Sequence, residues 1–208
     1  MKILALTFLL ILAFLINAAA QDPKLPAGYK ILEDASGNPA MLRYDFDSDG
    51  RQDIFCAIQP QTGDDAKLMA VLKSGKSVSY SQALSMCCGS LSQKNGVIDV
   101  HSKGMRGFTY YKFRWDAKAK DFRLIGYDTE SFGNAVHDGS GKSSLNLITG
   151  AYEAAFNVWD EKKQKLVALP KVNRKLNLGR RIYLKQFGED ADSWLAQLNA
   201  SNLPKELR

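Results

Sequence analysis

Four aspartates and one glycine, spaced across nine consecutive positions, are the residues of this chain best suited to chemistry: Asp45, Asp47, Asp49, Gly50 and Asp53. A hard cation such as calcium takes roughly six to eight oxygen ligands at about 2.3–2.6 Å, and alternating aspartates on a curled loop supply several such oxygens. Gly50 permits a sharp bend because glycine adopts backbone angles that other residues avoid. The spacing therefore predicts a calcium site, with Ca²⁺ as the bound cofactor.

The charge of these side chains leads to the same prediction. Two carboxylates about 4 Å apart repel each other by on the order of 4 kcal/mol at an effective dielectric constant of about 20, and a bound cation relieves this repulsion. Beside the carboxylates, the backbone carbonyl of Arg51 at the seventh loop position is a predicted ligand. An alternative interpretation is a hairpin turn that binds nothing, because Asp and Gly are common turn residues.

The predicted site differs from an EF-hand, whose loop carries a bidentate glutamate at its twelfth position. The twelfth position here is Cys56. Residues 41–44 before the loop and 54–58 after it are rich in strand-forming side chains, and the second stretch is a short apolar run. The loop is therefore predicted to join two β-strands.

This strand–DxDxDGxxD–strand arrangement resembles the calcium loops of FG-GAP and VCBS-type repeats, which occur in integrin-like propellers and in many secreted bacterial proteins. The residues that carry the resemblance are the acidic positions, the glycine and the apolar strand that starts at Ile54. The resemblance implies that Asp53 is a direct calcium ligand. Because the motif occurs once and a propeller needs several blades, it implies the site and not a complete propeller.

The first twenty residues are typical of a secretory signal. Lys2 supplies the positive start, residues 3–16 form an apolar core, and Ala18, Ala19 and Ala20 match a cleavage site of small residues. An uncleaved anchor helix is the alternative, although the apolar run is short for a membrane span. We therefore expect a periplasmic or secreted protein whose residues 21–208 form one calcium-stabilised β domain with no further transmembrane span.

The chain carries a formal net charge of +6, and its late basic residues crowd one segment. They are Lys171, Arg174, Lys175, Arg180, Arg181 and Lys185. Such a segment attracts anionic cell-surface polymers or an acidic partner, or it is only the solvated face of two late strands. No nucleic-acid-binding motif accompanies it, so a nucleic-acid partner is not expected.

Three cysteines, Cys56, Cys87 and Cys88, raise a pairing question in an exported chain. A disulfide from Cys56 to Cys87 or Cys88 is the leading interpretation, because exported compartments allow disulfides, and it would stabilise the fold by about 3 kcal/mol. Buried free thiols, a Cys87–Cys88 ring and an intermolecular bond are the alternatives.

Short strands separated by turns account for most of the chain. Residues 108–115 alternate clearly at period two, and residues 122–127 form a predicted hairpin partner. Near the C-terminus, Ala191, Trp194 and Leu195 begin the stripe of a short amphipathic helix that continues to Leu198. The predicted fold class is mostly β, with antiparallel meander, sandwich-like or partial propeller-like sheets and a short C-terminal helix.

One face of the alternating strand is the best surface candidate for a ligand, since its aromatic and basic side chains suit carbohydrate or protein contacts. That face carries Phe108, Tyr110, Lys112 and Arg114. The alternative is that another sheet or the late helix covers it.

No recognised catalytic motif is complete. The Gly141-Lys142-Ser143 stretch lacks the earlier glycine of a phosphate-binding loop, and His137-Asp138 has no identified nucleophile. The functional prediction is an exported calcium-binding module of the cell envelope, structural or binding, with an envelope protein or polysaccharide partner. A secreted enzyme inhibitor or immunity protein, and an extracytoplasmic hydrolase with dispersed acidic residues, are the alternatives.

Overall fold

The computed structural model describes residues 22–208 except Asp64, Gly75 and residues 85–87, and it describes Cys88 and Gly89 by backbone alone. The predicted signal segment, residues 1–20, lies outside this range, as does Cys87. Within the described range, no helix has both the length and the apolar character that a membrane span requires.

Five strands form a small antiparallel sheet: β1 (Tyr29–Ile31), β2 (Met41–Tyr44), β3 (Asp53–Pro60), β4 (Lys67–Leu72) and β5 (Ser77–Tyr80). Strand β3 is central, with β4 along one edge and β1 and β2 sharing the other. Ile31 pairs with Ile58 near the end of β3, and Tyr44 pairs with Asp53 at its start. The hairpin between β2 and β3 therefore carries the acidic residues at the start of the most enclosed strand.

Eight further strands form a large antiparallel sheet: β6 (Cys88–Lys94), β7 (Val97–Gly104), β8 (Gly107–Asp116), β9 (Asp121–Phe132), β10 (Ser140–Asn146), β11 (Ala151–Asp160), β12 (Lys165–Ala168) and β13 (Val172–Lys175). Strands β6 to β11 pair in succession as a meander. At the far edge, β12 pairs with residues 157–160 of β11 and β13 with residues 151–154.

One α-helix, α1 (Glu189–Asn202), follows the sheets and is flanked by short 3-10 helices at Leu184–Gln186 and Lys205–Leu207. Ala191 and Leu195 of α1 are fully buried, and Trp194 and Leu198 pack against the same core. The prediction of a mostly-β antiparallel fold with a short C-terminal helix is therefore confirmed.

The two sheets pack face to face, and aromatic rings from both sheets meet between them. Phe55 of the small sheet lies 5.3 Å from Phe122 and 6.2 Å from Phe113 of the large sheet, measured between ring centroids. All three side chains are at most 1% exposed. Burial of a side chain of this size stabilises the fold by about 1.5–3 kcal/mol, so this stack is a principal source of stability.

Polar bonds dock α1 on the large sheet beside that stack. The Tyr111 hydroxyl donates to the Asp192 carboxylate. The Asn199 side-chain oxygen accepts hydrogen bonds from the hydroxyls of Ser143 at 2.7 Å and Tyr152 at 2.9 Å. Because these donors lie on the inner face of the sheet, α1 covers that face.

The alternation predicted along β8 is confirmed. Tyr111 and Phe113 are buried on the inner face, while Arg114 on the other face is exposed. Tyr110 and Lys112 on that outer face are half-buried. Helix α1 therefore covers the inner face of β8. It does not cover the outer face, which carries Tyr110, Lys112 and Arg114.

The predicted disulfide from Cys56 is wrong, because Cys56 is a free thiol. Its side chain is fully buried and belongs to a small apolar cluster with Ile54, Ile58 and Met69 on the outer side of β3. Burial raises the pKa of the Cys56 thiol to about 12. The alternative of a buried, unreactive thiol therefore describes this residue.

We expect Cys56 to resist iodoacetamide in the folded protein at pH 8, because its thiol is both buried and protonated. In urea, without reductant, the same thiol should be fully alkylated. Peptide mass spectrometry measures both extents. A disulfide-linked peptide that contains Cys56, or rapid alkylation of the native protein, would contradict the structure.

Candidate metal centre

The acidic loop (residues 45–53) closes the hairpin between β2 and β3. Two of its residues, Ser48 and Gly50, have positive φ angles of 63° and 84°. These angles turn the chain tightly enough for side chains two residues apart to converge. A Cβ added at Gly50 would meet no atom within 4 Å, so only the backbone angle favours glycine there.

Three carboxylates converge inside this turn. One oxygen each from Asp45, Asp47 and Asp49 lies within 4.8 Å of the others. Two oxygens bound to one calcium ion are at most about 5 Å apart, which is twice the Ca–O bond length. The three aspartates therefore stand at a separation that one cation can bridge with little rearrangement.

Backbone donors orient the first two of these carboxylates. The N–H groups of Asp49 and Gly50 donate to the two oxygens of Asp45 at 3.0 and 2.9 Å. The N–H of Asp49 also lies 3.3 Å from Asp47 Oδ1. A carboxylate oxygen has lone pairs to spare after one such bond, so the oriented side chains can still bind a cation.

The Arg51 side chain supplies a positive charge at the third aspartate. Its Nε donates to Asp49 Oδ2 at 2.9 Å, and its backbone N–H donates to Asp49 Oδ1 at 2.8 Å. The sequence pointed to the Arg51 carbonyl as a ligand and gave no role to its guanidinium. A cation that binds Asp49 therefore shares or displaces this contact.

Asp53 occupies a different environment from the other three aspartates. It is fully buried, and its two oxygens accept hydrogen bonds from the backbone N–H groups of Lys73 at 2.9 Å and Phe46 at 3.0 Å. Burial raises the pKa of the Asp53 carboxyl, these backbone bonds lower it, and the charge of Asp47 raises it further. Asp53 lies outside the group of three converging oxygens, and its direct ligation stays a prediction from the resemblance.

Sequence reasoning missed a second segment at the site, the turn after β4. The Ser74 hydroxyl donates to Asp47 Oδ2, and the Lys73 N–H binds Asp53 as described. The signal lies in strand pairing: Ile54 lies opposite Val71, so the end of β4 returns to the start of β3. Serine and lysine in a turn carry no such information until that register is known.

Among the described side chains, the ring of His101 lies between a serine and an aspartate, without a hydrogen bond to the aspartate. His101 Nδ1 lies 3.2 Å from the Ser90 hydroxyl, and its Nε2 lies 3.9 Å from Asp99. His137 Nδ1 lies 3.2 Å from the carbonyl of Phe132. Asp138 next to it accepts the backbone N–H of Trp159 at 2.8 Å, so it holds a turn rather than a histidine.

The outer face of the large sheet forms a shallow groove of about 440 Å³ that includes Tyr110 and Lys112. Two of its four carboxylates are paired with lysines. Lys112 forms an ion pair with Asp128, and Lys142 lies 2.9 Å from Glu130. Asp99, a third carboxylate of the groove, differs from these two: burial raises its pKa, the charges of Lys112 and His101 lower it, and its Oδ1 atom is buried without a hydrogen-bond partner among the described residues.

No known protein family matches the chain, and neither does any curated protein or solved structure. The resemblance to FG-GAP and VCBS-type loops therefore depends on the acidic loop alone.

Replacement of Gly50 by Ala should destabilise the protein by about 1–2 kcal/mol, because a residue with a Cβ pays that cost at this backbone angle. Gly37→Ala is the matched control, since Gly37 has a φ of 81° and an equally open Cβ position away from the loop. Urea unfolding measures the stability of both variants. We expect equal destabilisation of the two variants, and a lower calcium affinity in Gly50→Ala alone. Equal calcium affinities in the two variants would show that the bend at Gly50 is not needed for calcium binding.

Proposed function

We infer that the acidic loop binds Ca²⁺ and that the protein acts outside the cytoplasm as a calcium-stabilised module of the cell envelope, with a binding or structural role. The observation that carries this proposal is the convergence of three carboxylate oxygens within 4.8 Å. Their separation suits one hard cation, and oxygen ligands of this kind select calcium or magnesium rather than zinc.

Charge balance supports a divalent ion. The carboxylates of Asp45, Asp47 and Asp49 face one guanidinium, that of Arg51. These four groups together leave a formal charge of −2, which one calcium ion neutralises. Repulsion among the carboxylates then becomes attraction to a common centre, and the net gain is larger than an exposed ion pair with arginine provides.

The position of the loop gives the ion a structural role. Through Ser74 and Lys73, the loop contacts the turn that follows β4, so a bound ion fastens three strands of the small sheet at one corner. At a free calcium concentration tenfold above the dissociation constant, binding would stabilise the fold by about 1.4 kcal/mol. Extracellular calcium modules have dissociation constants on the order of 10⁻⁴–10⁻³ M. We expect an affinity in this range, because the predicted signal segment directs the protein out of the cytoplasm.

The outer groove of the large sheet is the surface that we assign to an envelope partner. Tyr110, half-buried there, places its hydroxyl 3.4 Å from Glu130, and the neighbouring lysines and carboxylates alternate in sign. An aromatic ring among paired charges suits the hydroxyl-rich surface of a polysaccharide or the polar surface of a protein.

Calcium should raise the melting temperature of the protein by about 3–6 °C at ten times its dissociation constant, and chelator should reverse the shift. Asp47→Asn and Asp49→Asn should abolish the shift, because each removes a converging charge. Differential scanning calorimetry and isothermal titration calorimetry provide the measurements.

Asp34→Asn is the matched control for these variants. Asp34 accepts two backbone hydrogen bonds in another turn and has no part in the group of converging carboxylates. This variant should keep the full calcium shift. The proposal fails if calcium leaves the melting temperature of the unmodified protein unchanged and releases no heat on titration.

A further inference from the structure

A basic cleft of about 540 Å³ lies between the β10–β11 turn and the chain that follows β13. Four of the residues that line it are cationic, and none is acidic: Arg123, Lys175, Arg180 and Arg181. The remaining lining consists of residues 147–150 and 176–179. Three parts of the chain therefore line the cleft, and two of them, β9 and residues 175–181, carry charges of the same sign.

Backbone pairing brings these parts together. The N–H of Leu124 on β9 donates to the carbonyl of Ile182 at 2.9 Å, so the late basic segment runs beside β9. At the other end of that segment, the N–H of Leu176 donates to the carbonyl of Gly150 at 2.8 Å. Main-chain bonds therefore hold the walls of the cleft, and they bring the backbone at Arg123 close to the backbone that follows the late arginines.

Arg123 is the least satisfied cation of the cleft. Its Nε atom is buried and has no hydrogen-bond partner within the described part of the chain. It also lies directly opposite Arg114 in the pairing of β8 with β9, and like charges in such a pair repel. A buried donor without an acceptor is costly, and the same residue lines the cleft.

Groups near the cleft leave its charge largely uncompensated. The pKa of Asp116 is lowered first by the backbone N–H of Ala119, then by the Tyr183 hydroxyl at 3.1 Å, and last by the charge of Arg123, so this carboxylate is engaged mainly by its own turn and by Tyr183. The Arg180 guanidinium lies 5.6 Å from the centre of the Trp194 ring. Among the described residues, the ion pairs involve neither Arg123 nor Arg181.

We propose that this cleft binds a phosphate group carried by an organic molecule. Guanidinium groups match phosphate oxygens with paired hydrogen bonds, and Arg123 and Arg181 present two of them. The volume lies in the range of clefts that hold small organic ligands, about 300–1,000 Å³. Ile148, which is 52% exposed at the cleft, adds an apolar surface for the part of the ligand beyond the phosphate.

Glycerol phosphate, titrated by calorimetry at low salt in the presence of chelator, tests the proposal independently of calcium. We expect saturable binding with one molecule per chain. Arg123→Gln and Arg181→Gln should each weaken it about tenfold or more, because each removes a charge-assisted hydrogen bond. Lys103→Gln is the control, because it also removes a positive charge but lies near the other end of β7 from Val97, the residue that pairs with Arg114. This variant should leave the affinity unchanged.

A second measurement separates direct contact from general attraction. The Nε–H resonance of Arg123 should move in the ¹⁵N-correlated NMR spectrum as glycerol phosphate is added, in the unmodified protein and in Arg181→Gln at higher concentration. Sulfate at the same ionic strength should bind at least tenfold more weakly. Equal responses to sulfate, or binding of glycerol phosphate that leaves the Arg123 resonance unchanged, would overturn the proposal.

A further experiment distinguishes a lipid-bound phosphate from a phosphate in solution. Vesicles that contain phosphatidylglycerol present the group on a lipid, whereas glycerol phosphate presents it in solution. Binding to the vesicles alone, lost in Arg123→Gln and kept in Lys103→Gln, supports a lipid headgroup. Binding of neither probe overturns the proposal, and because chelator is present throughout, that result leaves the calcium site unaffected.

Discussion

Enclosure of β3 on both faces is the constraint from which the architecture follows. Residues from Asp53 to Ile58 are all buried: one face of the strand meets the aromatic rings of the large sheet, and the other meets the cluster around Cys56. A strand buried in this way has no free choice of register, because a slip by one residue exchanges its two apolar faces. The first residue of the strand, Asp53, therefore holds the acidic loop at a defined place in the fold.

Two opposite charge clusters are set on this framework, and each is only partly compensated by its own neighbours. In the acidic loop, three carboxylates share one guanidinium. In the basic cleft, Arg123 has a buried donor without a partner and faces a second arginine across the sheet. Backbone N–H groups that donate to aspartate oxygens hold the loop, and main-chain bonds hold the walls of the cleft. A ligand of opposite charge relieves the repulsion among like charges in each cluster, and this relief contributes to the binding affinity.

Much of the fold was predictable from local pattern. The alternation along β8 and the stripe of α1 follow from where apolar side chains fall, and burial confirms both at Phe113 and Leu195. The disulfide prediction failed because local pattern does not reveal which face of a strand a cysteine occupies. Cys56 points into a small apolar layer, where a thiol is a suitable hydrophobic side chain. Ser74, 27 residues from Asp47, was out of reach for the same reason.

The order of amino acids alone determined that acidic side chains would converge in a tight turn, since the spacing of Asp45, Asp47 and Asp49 and the angle at Gly50 act over a few residues. Strand character and the late helix were likewise local. Only tertiary structure decided which distant groups meet: Lys73 and Ser74 at the acidic loop, and Arg123 beside Arg181 in the cleft. These contacts depend on strand register and sheet packing, which arise from burial summed over the whole core and leave no mark at the residues that they bring together.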